Sequence, residues 1–238
     1  KEFRKNVKEA NPDAIILAEH YGEARSWLQG DEWDTVMNYD AFMEPLTWFL
    51  TGMEKHSDEF RGNLLGNHES FMGAMSHHMS SFMAPSLQVS MNELSNHDHS
   101  RFLTRTNHRV GRVAQLGYRA AEEQVNVAVM REAVTVQMTW PGAPTLYYGD
   151  EAGLFTDPDN RRTYPWGREN KELIDFHREM IRIHKKYPVL SHGSLKFLYG
   201  EHNVIAYGRF DMKERVIVAF HNGQGDKTFM LPVWQVGV

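Results

Sequence analysis

Up to Pro188 short apolar runs alternate with longer stretches in which apolar residues return at helical spacing, and beyond Gly193 the period shortens to two. Ala14–Ala18, Thr35–Asn38, Leu87–Leu94 and Thr145–Tyr148 are compact apolar runs between polar or turn residues, the pattern of short buried strands. Helical patterns lie between them, notably Glu123–Met138 and Lys171–Lys186, and Lys1–Ala10 reads as a helix closed by Asn11-Pro12-Asp13. Strands alternating with helices predict a parallel sheet covered by helices. Ser194–Leu198, Val204–Phe210, Arg215–Phe220 and Thr228–Leu231 instead alternate apolar with polar residues across Gly, Asn and Asp turns, which predicts a small antiparallel module. Met72–Met83, rich in Met and carrying His77-His78, has no strong period.

Two of the apolar runs end in a carboxylate. Ala14-Ile15-Ile16-Leu17-Ala18 leads into Glu19, and Leu94-Ser95-Asn96-His97 leads into Asp98. If both runs are parallel strands of one sheet, Glu19 and Asp98 emerge side by side at its C-terminal edge, where α/β enzymes carry their chemistry. Paired carboxyls there point to acid-assisted cleavage of a glycosidic bond. A glutamate at a strand end is more often a solvated loop charge, so the spacing alone is not specific. A general acid needs a raised pKa, which requires Glu19 to sit among apolar or aromatic groups such as Tyr21 and Trp27, whereas Asp98 has to stay ionised. His97 is placed to hydrogen-bond a sugar hydroxyl. A competing reading takes His97 and His99, two apart on a strand and hence on one face, as metal ligands.

The residues around these carboxylates resemble a known family. Ile16-Leu17-Ala18-Glu19, followed by Ser26-Trp27-Leu28-Gln29-Gly30-Asp31 and Val36-Met37-Asn38-Tyr39, is similar to the general-acid region of the α-amylase family of glycoside hydrolases, in its neopullulanase and cyclomaltodextrinase branch. Ser95-Asn96-His97-Asp98 with Arg101 resembles that family's transition-state-stabiliser motif. Pro141 to Glu151 resembles its eighth barrel strand, and Asp157-Pro158-Asp159-Asn160-Arg161-Arg162 through Pro165-Trp166 the loop that follows. The four blocks occur in the family's order across nearly the whole chain, which no single block would make persuasive. The resemblance implies a retaining mechanism with Glu19 as general acid/base and Asp98 as stabiliser. The candidate substrate contacts are His97, Tyr21, Trp27, Arg101, Arg161 and Arg162.

The family's nucleophile is an aspartate in a Gly-x-Arg-x-Asp strand upstream of the general acid, and only eighteen residues precede Glu19 here. Gly208-Arg209-Phe210-Asp211 is a look-alike, but its place between two strand-like runs reads as a hairpin. The expectation is therefore a chain that begins just after the nucleophile strand. Arg101 either pairs with a carboxylate of the missing half or is a generic surface arginine, and the arginines after Asp157 either line the cleft or pin their loop. Aromatics near predicted strand ends (Tyr21, Trp27, Trp33, Tyr148 and Trp166) are candidates for stacking on sugar rings, with core packing as the alternative.

Composition narrows the partners. The 238 residues carry 26 basic and 31 acidic side chains, a formal net charge of −5 with no basic stripe, so nucleic acid is not expected. No apolar run reaches the length of a membrane span. The absence of cysteine excludes disulfides and thiolate metal sites and leaves the compartment open. No cofactor is required, although Glu151 and Asp159 are acidic loop residues that suit calcium in the full-length parent.

The expected fold class is α/β: the C-terminal half of a (β/α)8 TIM barrel, strands 5–8, over residues 1–188, followed by part of an antiparallel β domain over 189–238. The expected activity is retaining hydrolysis of α-1,4-glucans or maltodextrins, with the isolated chain inactive for want of the nucleophile. The expected partners are an α-glucan or maltooligosaccharide, and the missing N-terminal half of the barrel or a second copy. The alternative is a non-catalytic carbohydrate-binding or scaffold role.

Overall fold

The computed structural model describes residues 1–155 and 161–238. Helix α1 (Glu2–Ala10) leads to strand β1 (Leu17–Ala18), which pairs in parallel with β2 (Thr35–Val36). A π-helical turn over Tyr39–Met43 runs into α2 (Glu44–Thr51), followed by α3 (His68–Met79) and α4 (Ala84–Gln88). Strand β3 (Met91–Glu93) joins β2 through a parallel bridge from Met37 to Met91 and pairs in parallel with β4 (Ala143–Thr145). Between β3 and β4 lie α5 (Phe102–Arg105), α6 (Val113–Leu116), α7 (Tyr118–Glu122) and α8 (Val127–Thr139). Helices α9 (Lys171–Lys186) and α10 (Val189–His192) precede an antiparallel sheet of β5 (Ser194–Glu201), β6 (Val204–Phe210) and β7 (Arg215–His221). The order is β5-β6-β7, with β6 central.

The long helices have local causes. Asn126 caps α8 by accepting from the amides of Ala128 and Val129, and Asn170 caps α9 by accepting from Leu173. Helix α9 has an apolar face, with Leu173, His177 and Met180 buried one turn apart and Phe176, Ile181 and Ile183 packed against the same core.

Strands two or three residues long form few ladder bonds, so buried side chains add others. The Asn38 amide donates to Asn92 Oδ1 at 2.7 Å, Asn92 Nδ2 donates to the Pro141 carbonyl at 2.9 Å, and Gln137 of α8 donates to the carbonyls of Asn92 and Thr145. These bonds join β2, β3 and β4 to one covering helix. Gly142, at φ +131°, allows β4 to approach, because a Cβ there would lie 2.4 Å from the Asn92 amide.

Three sequence readings shift. The strand predicted over Leu87–Leu94 is shorter: Ala84–Gln88 forms a short helix with Pro85 in its first turn, where no backbone N–H is needed, and only Met91–Glu93 enter the ladder. The strand predicted over Thr145–Tyr148 pairs earlier, at Ala143–Thr145. Thr228–Leu231 is irregular, with Phe229 stacked on Tyr199 at 4.9 Å.

One apolar cluster runs from Phe49 and Phe71 through Met130, Val134 and Trp140 to Ile205, Tyr207 and Phe220, so β6 and β7 share the core of the preceding α/β layer. Arg209 is buried at this junction and donates to the carbonyls of Thr139, Leu190 and Gly193 at 2.6–2.9 Å. Asp211 accepts the amides of Lys213 and Glu214 in the hairpin turn. The Gly208–Asp211 look-alike is therefore a structural joint and hairpin turn. Among the described residues no helix is long and apolar enough to cross a membrane.

Candidate active site

Glu19 follows β1 by one residue, and the Asn96–His99 turn follows β3, so the parallel sheet delivers both to the same edge. The turn is shaped by Asn96, whose Oδ1 accepts the amides of Asp98 and His99 at 2.9 Å each. Ser95 Oγ accepts the Phe102 amide at 2.9 Å and ties the end of the turn to the start of α5. The result brings His97 Nε2 to 3.3 Å from a Glu19 carboxylate oxygen and 3.4 Å from an Asp98 oxygen. One donor atom from each of the three residues lies within 4.8 Å of the others.

All three side chains are open to solvent: Glu19 is 48% exposed, Asp98 47% and His97 37%. The apolar surroundings expected around Glu19 are therefore not formed by this chain alone. A cleft of about 120 Å³ lined by His20, Tyr39, Asp40, His78 and Phe82 opens nearby, but it includes none of the three. Burial raises the Asp40 carboxyl in its wall.

Beneath the exposed trio lies a buried layer that sequence reading did not find. Glu93, on β3, is 1% exposed and accepts from Asn96 Nδ2 at 2.8 Å. Burial pushes its carboxyl up to about 8, and the nearby Asp150 and Glu19 carboxylates push the same way. The other Asn96 amide hydrogen goes to the Tyr39 hydroxyl at 3.1 Å. His99 is fully buried and pushed down to about 2, first by loss of solvent and then by the Arg105 charge, so its ring is neutral. The available signals were weak: one glutamate near the end of the predicted strand over Leu87–Leu94, and a second histidine in the turn.

The remaining predicted residues divide into those near the trio and those that hold the frame. Arg161 approaches it, donating to the His97 carbonyl at 3.2 Å with its second terminal nitrogen 3.9 Å from Asp98. Arg162 instead donates to the Phe155 carbonyl and lies over the rings of Tyr118 and Phe155. Arg101 was expected to reach substrate or a carboxylate of another segment. It is fully buried, donates to Asp150 at 2.9 Å and to the Tyr148 carbonyl at 2.6 Å, and lies over the Tyr147 and Tyr148 rings. Its partner is internal because the turn after β3 packs against the turn after β4.

Trp27 stacks on Trp33 at 5.0 Å and packs with Ala24, Leu28 and Val36, in the packing role that was the alternative to sugar stacking. Tyr21 is 44% exposed, stacks on Tyr39 at 4.2 Å and has the Lys55 ammonium 4.7 Å from its ring centroid. Trp166 is exposed, against Tyr164 at 4.6 Å, and Tyr148 is partly exposed.

The metal reading fails for His97 and His99 as a pair. The strand ends at Glu93, and the two rings diverge, one outward to Glu19 and the other inward to Tyr21. Glu19, His97 and Asp98 together do present a three-donor set. Glu54, His56 and Asp58 form a second such set, but Glu54 accepts the amides of His56 and Asp58, and Asp58 pairs with Arg112. Of the calcium candidates, Glu151 accepts the Gly149 amide at 2.9 Å, and Asp159 lies outside the described residues, as does Asp157.

An acid-bearing strand end beside an Asn-His-Asp turn on a parallel sheet is the arrangement of the α-amylase class, and the chain belongs to that family. The α-amylase catalytic domain matches residues 1–192. Among relatives, an amylopullulanase from Thermoanaerobacter thermohydrosulfuricus is 35% identical over 87% of this chain and 14% of its own length. Neopullulanase 2 from Thermoactinomyces vulgaris is 32% identical over the whole of this chain and 37% of its own. The crystal structure of a debranching enzyme from Nostoc punctiforme superposes with a TM-score of 0.84 at 28% identity, covering all of this chain and 47% of that one. The chain thus spans well under half the length of the curated relatives it matches.

Proposed function

We propose that this chain carries the acid/base half of a retaining glycosidase site acting on α-1,4-glucans or maltodextrins. The observation that carries the reading is His97 set between Glu19 and Asp98, 3.3 and 3.4 Å from their carboxylates, at the C-terminal ends of parallel strands. Glu19 protonates the departing glycosidic oxygen and later takes a proton from the water that releases the product. Asp98 faces the cationic sugar of the transition state, and His97 and Arg161 hold hydroxyls or the stabilising carboxylate in place.

The covalent step needs a third carboxylate. Glu93 is buried and neutral below about pH 8, so it is no nucleophile. Asp211 is engaged in its hairpin turn. On this reading the nucleophile comes from a barrel segment outside this chain, with residues 1–188 forming strands 5–8 and residues 189–238 the start of a C-terminal β domain. That segment, or a second copy, would also cover the open edge of the sheet and desolvate Glu19. The chemistry uses no cofactor.

The test is Glu19→Gln in the full-length protein. Turnover of maltooligosaccharides should fall by roughly 10²–10⁴ with sugar binding retained, the range for losing a general acid. Glycosylation by α-glucosyl fluoride, whose leaving group needs no proton, should fall far less. Near-normal maltooligosaccharide turnover would remove Glu19 from the acid role. Tight sugar binding by a full-length protein that never turns over would instead favour a carbohydrate-binding role.

A further inference from the structure

The two loops that carry Glu19 and Asp98 touch twice. On the solvent side they meet through His97; on the buried side the Tyr21 hydroxyl meets His99 Nε2 at 2.8 Å. Tyr21 is two residues past Glu19, and His99 one past Asp98. We propose that Tyr21 and His99 form a clamp that fixes the acid-bearing loop against the Asn96–His99 turn, making both of them positioning residues for the hydrolysis proposed above, on which this inference rests.

The surroundings of the clamp leave it little freedom. The Tyr21 ring lies parallel to Tyr39, with centroids 4.2 Å apart and planes 8° apart. No ammonium fits between rings at that separation, so Lys55, 4.7 Å from the Tyr21 centroid, takes the opposite face, where Glu44 holds it by an ion pair. Tyr39 also presents its ring to His99 at 5.3 Å, and its hydroxyl accepts from Asn96. Asn96 is the residue that shapes the Asp98 turn through its own Oδ1. His56 closes the far side of His99, edge to face at 5.1 Å. A sandwiched tyrosine and a buried imidazole make a rigid joint, whereas strands of two and three residues hold their following loops weakly.

The joint matters because Glu19 and Asp98 act on one sugar ring from two different loops. Small errors in their relative placement reduce the fraction of bound substrate in a reactive geometry, and this costs turnover more than affinity. The Tyr21 hydroxyl is turned to the buried His99 ring, so losing it should leave KM nearly unchanged.

The experiment compares Tyr21→Phe, His99→Leu and His99→Gln in the full-length protein carrying these residues. Tyr21→Phe keeps both ring contacts and removes only the hydroxyl; kcat for maltooligosaccharides should fall roughly tenfold to a hundredfold with KM within about twofold. His99→Leu should match it, His99→Gln, which retains a polar partner for the hydroxyl, should recover most of kcat, and Tyr21→Phe with His99→Leu together should be no worse than either alone. A raised KM at unchanged kcat for Tyr21→Phe, or fully multiplicative losses in the double variant, would overturn the clamp. If the wild-type protein has no hydrolytic activity, or if Glu19→Gln retains it, the function reading fails separately. The clamp is then decided by amide hydrogen exchange in the turn: at least tenfold faster exchange at Asp98 and His99 in Tyr21→Phe supports it, and unchanged exchange refutes it.

Discussion

Arg101→Leu tests whether this arginine belongs to the substrate cleft or to the frame. Its side chain is fully buried, and its partner Asp150 is only 4% exposed. Replacing the guanidinium leaves Asp150 buried without its countercharge and removes the donor to the Tyr148 carbonyl. Breaking a buried pair from one side costs about 3–5 kcal/mol. In a protein of this size that is a fall in melting temperature of roughly 6–20 °C. Burial already raises the Asp150 carboxyl against the lowering effect of Arg101, so without the arginine it rises further. A folded-state pKa above the unfolded one makes stability fall as pH increases, so the penalty of Arg101→Leu should grow from about pH 4 toward neutrality. Urea unfolding of variant and parent, at equal concentration and across pH, reads both quantities. Pairing the change with Asp150→Leu should restore part of the loss, with a coupling of roughly 1–3 kcal/mol. The reasoning is refuted if Arg101→Leu unfolds at the parent's urea midpoint and only raises KM for maltooligosaccharides, because that places the guanidinium on substrate.

Three further outcomes follow from the same geometry. Glu93, raised from 4.5 to about 8, binds a proton in the native state that the unfolded chain gives up, so it subtracts stability as pH climbs between those values, at up to roughly 1.4 kcal/mol per unit. Glu93→Gln should flatten the alkaline limb of the stability profile, and an unchanged limb between pH 5 and 8 would show that Glu93 ionises normally. Strands β1 and β4 each have one ladder partner among the described residues, and Ile15, Leu17 and Leu146 beside them are 64%, 39% and 37% exposed, so the isolated chain should associate. Light scattering that finds a cooperatively melting monomer at micromolar concentration would contradict this. On the proposed division of the site, the same isolated chain should hydrolyse maltooligosaccharides negligibly, and substantial turnover by the pure chain would refute that division.

What the sequence determined by itself was local. The helix over Lys171–Lys186 is legible because its apolar stripe recurs every turn and Asn170 caps it, and both are properties of neighbouring residues. The alternation of short apolar runs with helices, and the switch to period two after Gly193, likewise follow from the backbone geometry each pattern satisfies. Within those runs the strand limits moved, because pairing at β3 and β4 depends on Pro85 and on the Asn38–Asn92–Gln137 bonds, which join distant parts of the chain. The motif around Glu19 and Asp98 was visible as residues, but the contact through His97 exists only once β1 and β3 lie in one sheet. Tertiary packing alone decided which side chains around it face solvent. Arg101 turned inward because Asp150 met it there, Tyr21 stacked on Tyr39, and Glu93 became a neutral acid because the Asn96 hydrogen bond and the Arg105 charge did not make up for the water it gave up. Charge state and accessibility depend on the total surroundings of a group, and those surroundings are assembled from segments far apart in the chain.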